Sequence, residues 1–281
     1  MNAIISFVRR QPLIAFFILA FGLTWGGGWV ADTFYTGSTL SGVMVLPFLL
    51  LTPGPLIGAL IVTGITGGRD GVMTLLRKFT IWRVGWRWYA VALLLTPAMF
   101  LVAIYLNVWM GAPNPGAALV AAAPGIFLAF ALRLINPLDG PMKEELGWRG
   151  FALPYLQERY STPVAYLILI ALVVIWHLPL VWMGNMPAIA LFGTASATIL
   201  YGWIFNNTKG SVLLTLIAHA TDGLVRTGML GWTGVDSSRY FTLLIAVWCV
   251  TALIVVLRYG STMGRKPTVE AGPVVQPIAA K

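Results

Sequence analysis

Residues 164–183 read VAYLILIALVVIWHLPLVWM, a run whose one ionisable side chain is His177. At 1.5 Å rise per residue a helix of this length spans about 30 Å, the thickness of a bilayer's hydrocarbon core. A helix apolar on every face needs lipid or protein around its whole circumference. Runs of similar character lie near 12–31, 40–65, 88–110, 117–136, 187–205, 210–230 and 240–258. The sequence therefore predicts an all-α, polytopic membrane helix bundle with about eight transmembrane helices. The composition agrees: the 281 residues are 58% hydrophobic and 10% charged, with a mean hydropathy of +0.84. A water-soluble chain carries charge on roughly a quarter of its positions.

Between the runs, charge alternates. Arg69, Arg77, Lys78, Arg83 and Arg87 separate the second run from the third, whereas 111–116 carries no charge. Lys143, Arg149 and Arg159 follow the fourth run, 183–187 is uncharged, Lys209 is basic, and Arg258, Arg265 and Lys266 follow the last run. By the positive-inside rule this alternation predicts both termini on the cytoplasmic side, which needs an even number of crossings. The formal net charge of +9 thus marks membrane sidedness and contact with anionic lipid headgroups, and it does not call for nucleic acid. Arg9-Arg10 ahead of the apolar stretch 12–30 has the charge order of a signal sequence, but further spans follow and it reads as a retained first helix.

Cys249 is the sole cysteine, so an internal disulfide is excluded. Trp82, Trp86, Trp88 and Tyr89 suit the headgroup layer ahead of the third span. Small residues four apart, Gly22/Gly26, Gly54/Gly58 and Gly64/Gly68, predict close helix contacts. One domain is expected over 1–263, followed by a disordered cytoplasmic tail, the Pro-rich, aperiodic 264–281.

Against this background a few ionisable residues stand out, because a charge at a helix centre costs about 2.5–3.5 kcal/mol on insertion scales. They are Glu144-Glu145 with Arg149, then His177, then His219 with Asp222. Glu145 and Arg149 have the i, i+4 spacing that puts acid and base on one helix face. Asp139-Gly140-Pro141 breaks the fourth run, so 117–158 reads as one long broken segment whose second helix opens near the glutamates. Glu145 and His177 lie about sixteen residues on either side of the turn at Ser161, hence at matching depth in a helical hairpin. His219 follows the basic turn 206–209 by some ten residues, roughly 15 Å by helix rise. The three are expected to converge in one buried polar pocket with the parts of a hydrolytic site: a carboxylate base, imidazoles and an orienting guanidinium. Plain readings stand beside this one: capping glutamates, packed core histidines, and an arginine snorkelling to headgroups. Two His and two Glu also form a conceivable zinc set, although no His-Glu-x-x-His run is present.

At these residues the sequence resembles the CAAX protease and bacteriocin-processing (CPBP, or Abi) family of type II CAAX prenyl protease-like intramembrane peptidases. Glu144-Glu145-Leu146-Gly147-Trp148-Arg149 matches its Glu-Glu-x-x-x-Arg motif, continued by Gly150-Phe151, and His177 stands in Trp176-His177-Leu178-Pro179. Two positions depart from the pattern: Val173 replaces the aromatic four before His177, and Gly223 stands four after His219 where Asn or Asp is usual, with Asp222 one residue early. The resemblance covers about 53–222. It implies an eight-helix peptidase-like bundle of a bacterial or archaeal cell membrane, a site opening toward the cytoplasm, and endopeptidase action on a peptide or protein substrate. The implied catalytic residues are Glu144, Glu145, Arg149, His177, His219 and Asp222. Glu145 would pair with Arg149 and leave Glu144 for water, His177 would assist, and His219 would stabilise the oxyanion. The cofactor stays open, with a divalent metal such as zinc as one reading. The alternatives are a non-catalytic bacteriocin-immunity or scaffold protein on the same fold, and a proton-coupled transporter.

Overall fold

A computed structural model describes residues 2–34, 53–225 and 227–265. The regular structure of these residues is helical: α1 Asn2–Arg10, α2 Pro12–Phe34, α3 Gly54–Arg77, α4 Trp86–Trp109, α5 Gly116–Ile135, α6 Gly140–Glu145, a π-helical segment Leu146–Ala152, α7 Leu153–Arg159, α8 Thr162–Trp182, α9 Ala190–Asn207, α10 Val212–Thr221 and α11 Gly234–Tyr259. Among the described residues, five stretches are long and apolar enough to cross a bilayer: Gly54–Thr80, Trp86–Trp109, Gly116–Arg159, Thr162–Trp182 and Gly234–Thr262. Asn2–Arg10 and Pro12–Gly28, bent by 110° at the break, make a sixth if they count as one span. This is a multi-pass membrane protein. The run expected at 40–65 lies partly outside the described residues, as does the tail beyond Arg265.

The run expected at 210–230 is not one helix. α10 stops at Thr221 after about 15 Å, half a crossing. Asp222 leaves the helical region (φ −73°, ψ 139°), and Gly223 takes a left-handed φ of +71° that favours glycine. Ending a helix inside the bundle orphans its last carbonyls. Arg133, on the last turn of α5, satisfies two of them, donating from Nε to Ala220 O at 3.1 Å and from Nη2 to His219 O at 3.3 Å.

Close helix contacts occur where glycine leaves room for them. A Cβ on Gly147 would stand 2.6 Å from Pro55, so the start of α3 docks on the π-helical segment. A Cβ on Gly58 would crowd Leu19 at 3.3 Å, and one on Gly54 would collide with the Ala20 carbonyl. Among the described residues, Gly22, Gly26 and Gly68, expected to act the same way, meet nothing within 4 Å. Gly68 instead kinks α3, with φ +60° and ψ −154°. At the centre, Trp148 meets Phe16 and Trp176 edge-on, each at 5.6 Å between ring centroids. Trp82 and Trp86 are exposed. Trp88 packs edge-on against Trp203, and the Tyr89 hydroxyl donates to Trp82 O.

The basic connections gather at one end of the bundle. Lys209 Nζ donates to Arg83 O at 3.3 Å, Ser211 Oγ to Ile81 O at 2.7 Å, Arg265 Nη1 to Gln157 O at 2.5 Å, and Asn207 Nδ2 to Met263 O at 3.3 Å. The turns before α4, before α8, before α10 and after α11 are thereby tied together. The connection from α4 to α5 meets the one preceding α11 elsewhere, where Trp232 Nε1 donates to Pro113 O at 2.8 Å.

Candidate active site

The two adjacent glutamates have different surroundings. Glu145 is fully buried, and its Oε1 accepts from Arg149 Nη1 at 2.9 Å and from His219 Nδ1 at 2.8 Å. Arg149 is itself buried, directs Nη2 toward Ala197 O at 3.5 Å, and sits 5.1 Å from the centre of the Tyr201 ring. Glu144, about a quarter-turn away, lines a cavity of about 590 Å³. Arg149, His177, His219 and Asp222 also line it, whereas Glu145 does not. Three separate elements deliver these side chains: α6 with the π-helical segment, α8, and the end of α10. π-helical turns recur at functional sites because the extra residue re-aims side chains. Here all seven residues of the turn are buried.

Each imidazole has one nitrogen committed. His177 Nδ1 lies 2.8 Å from Val173 O, and a carbonyl can only accept, so Nδ1 carries the proton. In the neutral ring Nε2 then holds the lone pair. The side chain at 173 plays no part in this bond, so valine in place of an aromatic leaves it intact. His219 donates from Nδ1 to the Glu145 carboxylate, which leaves its Nε2 on the side of Glu144. A Cβ on Gly140 would stand 3.3 Å from Glu144 Oε1 and 3.5 Å from His219 Nε2. Glycine at 140 therefore keeps open the space that the carboxylate and the imidazole share.

Four contributors were not visible as such in the sequence. Tyr201 stacks on His219 (5.2 Å, 23°), and its hydroxyl donates to Asp222 Oδ2 at 3.4 Å, yet it reads as one more aromatic in an apolar helix. Arg133 holds the end of α10 and pairs with Asp139 at 3.4 Å. Gly140 and the Val173 carbonyl act through backbone, which carries no residue-type signal. The Trp176 indole, next to His177, is anchored by donating to Ala20 O at 3.4 Å.

The match to known proteins covers this same region. Residues 130–225 fit the family model described as type II CAAX prenyl endopeptidase Rce1-like. The chain is also 26% identical over 237 residues to the CAAX prenyl protease 2 of Methanococcus maripaludis, covering 76% of this chain and 83% of that protein. Both likenesses are to CAAX prenyl proteases. The matched stretch of this family runs from α5 through α10 and contains every ionisable residue just described. Among the described residues, no three His, Cys, Asp or Glu side chains converge as a metal-ligand set. Glu145 is occupied by Arg149 and His219.

Proposed function

We propose that this protein is an intramembrane endopeptidase that hydrolyses a peptide bond of a membrane-held peptide or protein. The observation that carries this reading is the division of labour between adjacent carboxylates. Glu145 is engaged by Arg149 and His219, while Glu144 lines a cavity together with two imidazoles whose Nε2 atoms have no hydrogen-bond partner among the described residues. A water held between Glu144 and His177 Nε2 would give its proton to the Glu144 carboxylate as its oxygen attacks the substrate carbonyl carbon. The tetrahedral oxyanion would be met by His219 when that ring carries a proton on Nε2, with the Glu145 carboxylate balancing the charge from behind. The C–N bond then breaks as the leaving nitrogen takes the proton back from Glu144. Tyr201 fixes the His219 plane by stacking. Asp222 accepts a hydrogen bond from Tyr201 and, as a carboxylate, has no proton to give an oxyanion.

The family match and the relative's name support peptidase chemistry on a polypeptide; a bacterial or archaeal membrane, with lipid as the other partner, belongs to the same proposal. Eight crossings with both termini cytoplasmic complete the reading. The test is cleavage of a peptide library by the detergent-purified protein, with and without a chelator, for wild type and His177→Gln. We expect wild-type cleavage that His177→Gln abolishes. A folded wild type that cleaves no peptide under either condition contradicts the proposal and favours a scaffold on this fold.

A further inference from the structure

Pro154 stands four residues after Gly150, beside the turn that carries Arg149. An α-helix would pair the Gly150 carbonyl with the N–H of residue 154, but proline has none, and its ring crowds the carbonyl four residues back. The helix is widened here: Leu146–Ala152 is π-helical, and the Leu153 N–H bonds to Trp148 O, five residues back. The Gly150 carbonyl finds a donor outside its own helix. Lys78, in the short helical turn Lys78–Thr80 that follows α3, donates to it from Nζ at 2.5 Å.

α3 reaches this π-helical turn with both of its arms. Residues eight apart in a straight helix are separated by about 12 Å along its axis. Yet a Cβ on Gly71 would stand 3.1 Å from Thr63 Cγ2, and one on Gly64 3.8 Å from Val72 Cγ2. The chain therefore folds back at Gly68, where the backbone leaves the helical region. The first arm sets Pro55 against Gly147, and the second brings Leu75 alongside Gly150. A Cβ on Gly150 would stand 3.4 Å from Leu75 and 3.3 Å from Val212 of α10, so glycine leaves room for both. Lys78, three residues beyond Leu75, closes on the carbonyl. Its ammonium lies 5.8 Å from the centre of the Phe205 ring and has no ion-pair partner among the described residues. A lysine that serves only the headgroup layer extends its ammonium outward. This one is turned onto a backbone carbonyl of the site's own helix.

We infer that Lys78 is a positioning residue for the site: by holding the Gly150 carbonyl it fixes the rotation of the π-helical turn that sets the Arg149 guanidinium on Glu145, and through Glu145 it fixes the His219 ring. The path is short. It runs from Lys78 Nζ to Gly150 O, across one peptide bond to Arg149, from Arg149 Nη1 to Glu145 Oε1 at 2.9 Å, and from there to His219 Nδ1 at 2.8 Å. Lys78 does not line the cavity, so it acts on geometry and not on substrate. His177 lies off the path, because its Nδ1 is held by Val173 O of its own helix. The expected effect on rate rests on the peptidase reading; the effect on the His219 ring does not.

The experiment uses the full-length protein in detergent, isotope-labelled on its histidine ring nitrogens for NMR. The chain has two histidines, so the spectrum contains His177 and His219 alone, and His177→Gln tells them apart. Lys78→Met keeps the length of the side chain and loses the donor. It is expected to displace the His219 signals, to leave those of His177 in place, and to lower kcat by roughly tenfold with KM unchanged. Lys78→Arg keeps a donor and should leave the signals and kcat near wild type. Lys78→Gln, whose amide ends one atom short of the ammonium, is the second variant if Lys78→Met does not accumulate, and the same outcomes apply to it. A lower melting temperature with both histidines unmoved and kcat retained overturns the inference, since Lys78 would then only add stability. Equal displacement of His177 and His219 overturns it too, as does a Lys78→Arg protein that behaves like Lys78→Met. Displaced His219 signals in Lys78→Met, alongside a wild type that cleaves no peptide, would defeat the peptidase reading alone.

Discussion

Two polar clusters inside this bundle are built from the same materials and do different things. Between the end of α4 and the start of α11, Arg239 donates from Nε to Asn107 Oδ1 at 2.6 Å and from Nη2 to Asp236 Oδ1 at 2.5 Å, and Asn107 Nδ2 donates to the Asp236 backbone carbonyl at 3.0 Å. These three side chains bond to one another, and none of them lines the large cavity. Around Glu145 the pairing is as tight, but the groups it holds have a second edge: His219 keeps Nε2, and Glu144 beside it faces open volume. A paired charge by itself therefore says little about chemistry. A buried pair that holds another group's reactive edge against a cavity says much more.

The contrast is broken or sharpened by substitution. The largest expected effect is on rate: Glu144→Gln removes the base and should lower kcat by about 10²–10⁴-fold. Peptide cleavage by purified protein measures it, and the unfolding temperature should be unchanged. Next comes Glu145→Ala, which leaves the Arg149 guanidinium buried without its carboxylate. Breaking such a pair costs about 3–5 kcal/mol, read as a lower melting temperature in detergent together with lost activity. In the other cluster, Asn107→Ala should destabilise by about 1–3 kcal/mol while the folded fraction cleaves at the wild-type rate. A loss of kcat there would mean that the two clusters are coupled. The smallest effect is expected from Gly140→Ala. Its methyl would displace Glu144 Oε1 and His219 by a few tenths of an ångström, and kcat should fall by roughly tenfold with no change in melting.

How much of this could be read beforehand depended on whether the signal lay in side-chain type or in backbone. Apolar runs identify α4, α5 and α8 almost to the residue, since composition alone decides lipid exposure. The same criterion fails at 210–230, where Asp222-Gly223 ends α10 inside an apolar run and Arg133 satisfies the ended helix from a distant segment. Matching distances from the Ser161 turn bring the depths of Glu144-Glu145 and His177 together, but depth carries no rotation. The pairing of Glu145 with Arg149, which leaves Glu144 for the cavity, is legible in their i, i+4 spacing, whereas helical spacing gives no warning of the π turn that carries Arg149. Tyr201 escaped because stacking on His219 has no counterpart in sequence spacing.

The most direct test compares Glu144→Gln with Asn107→Ala in two assays on the same preparations, peptide cleavage and thermal unfolding. Glu144→Gln is expected to abolish cleavage at an unchanged melting temperature, and Asn107→Ala to lower the melting temperature at an unchanged kcat. Full cleavage by a folded Glu144→Gln protein would contradict the assignment of the water-activating carboxylate, and with it the account of how this site works.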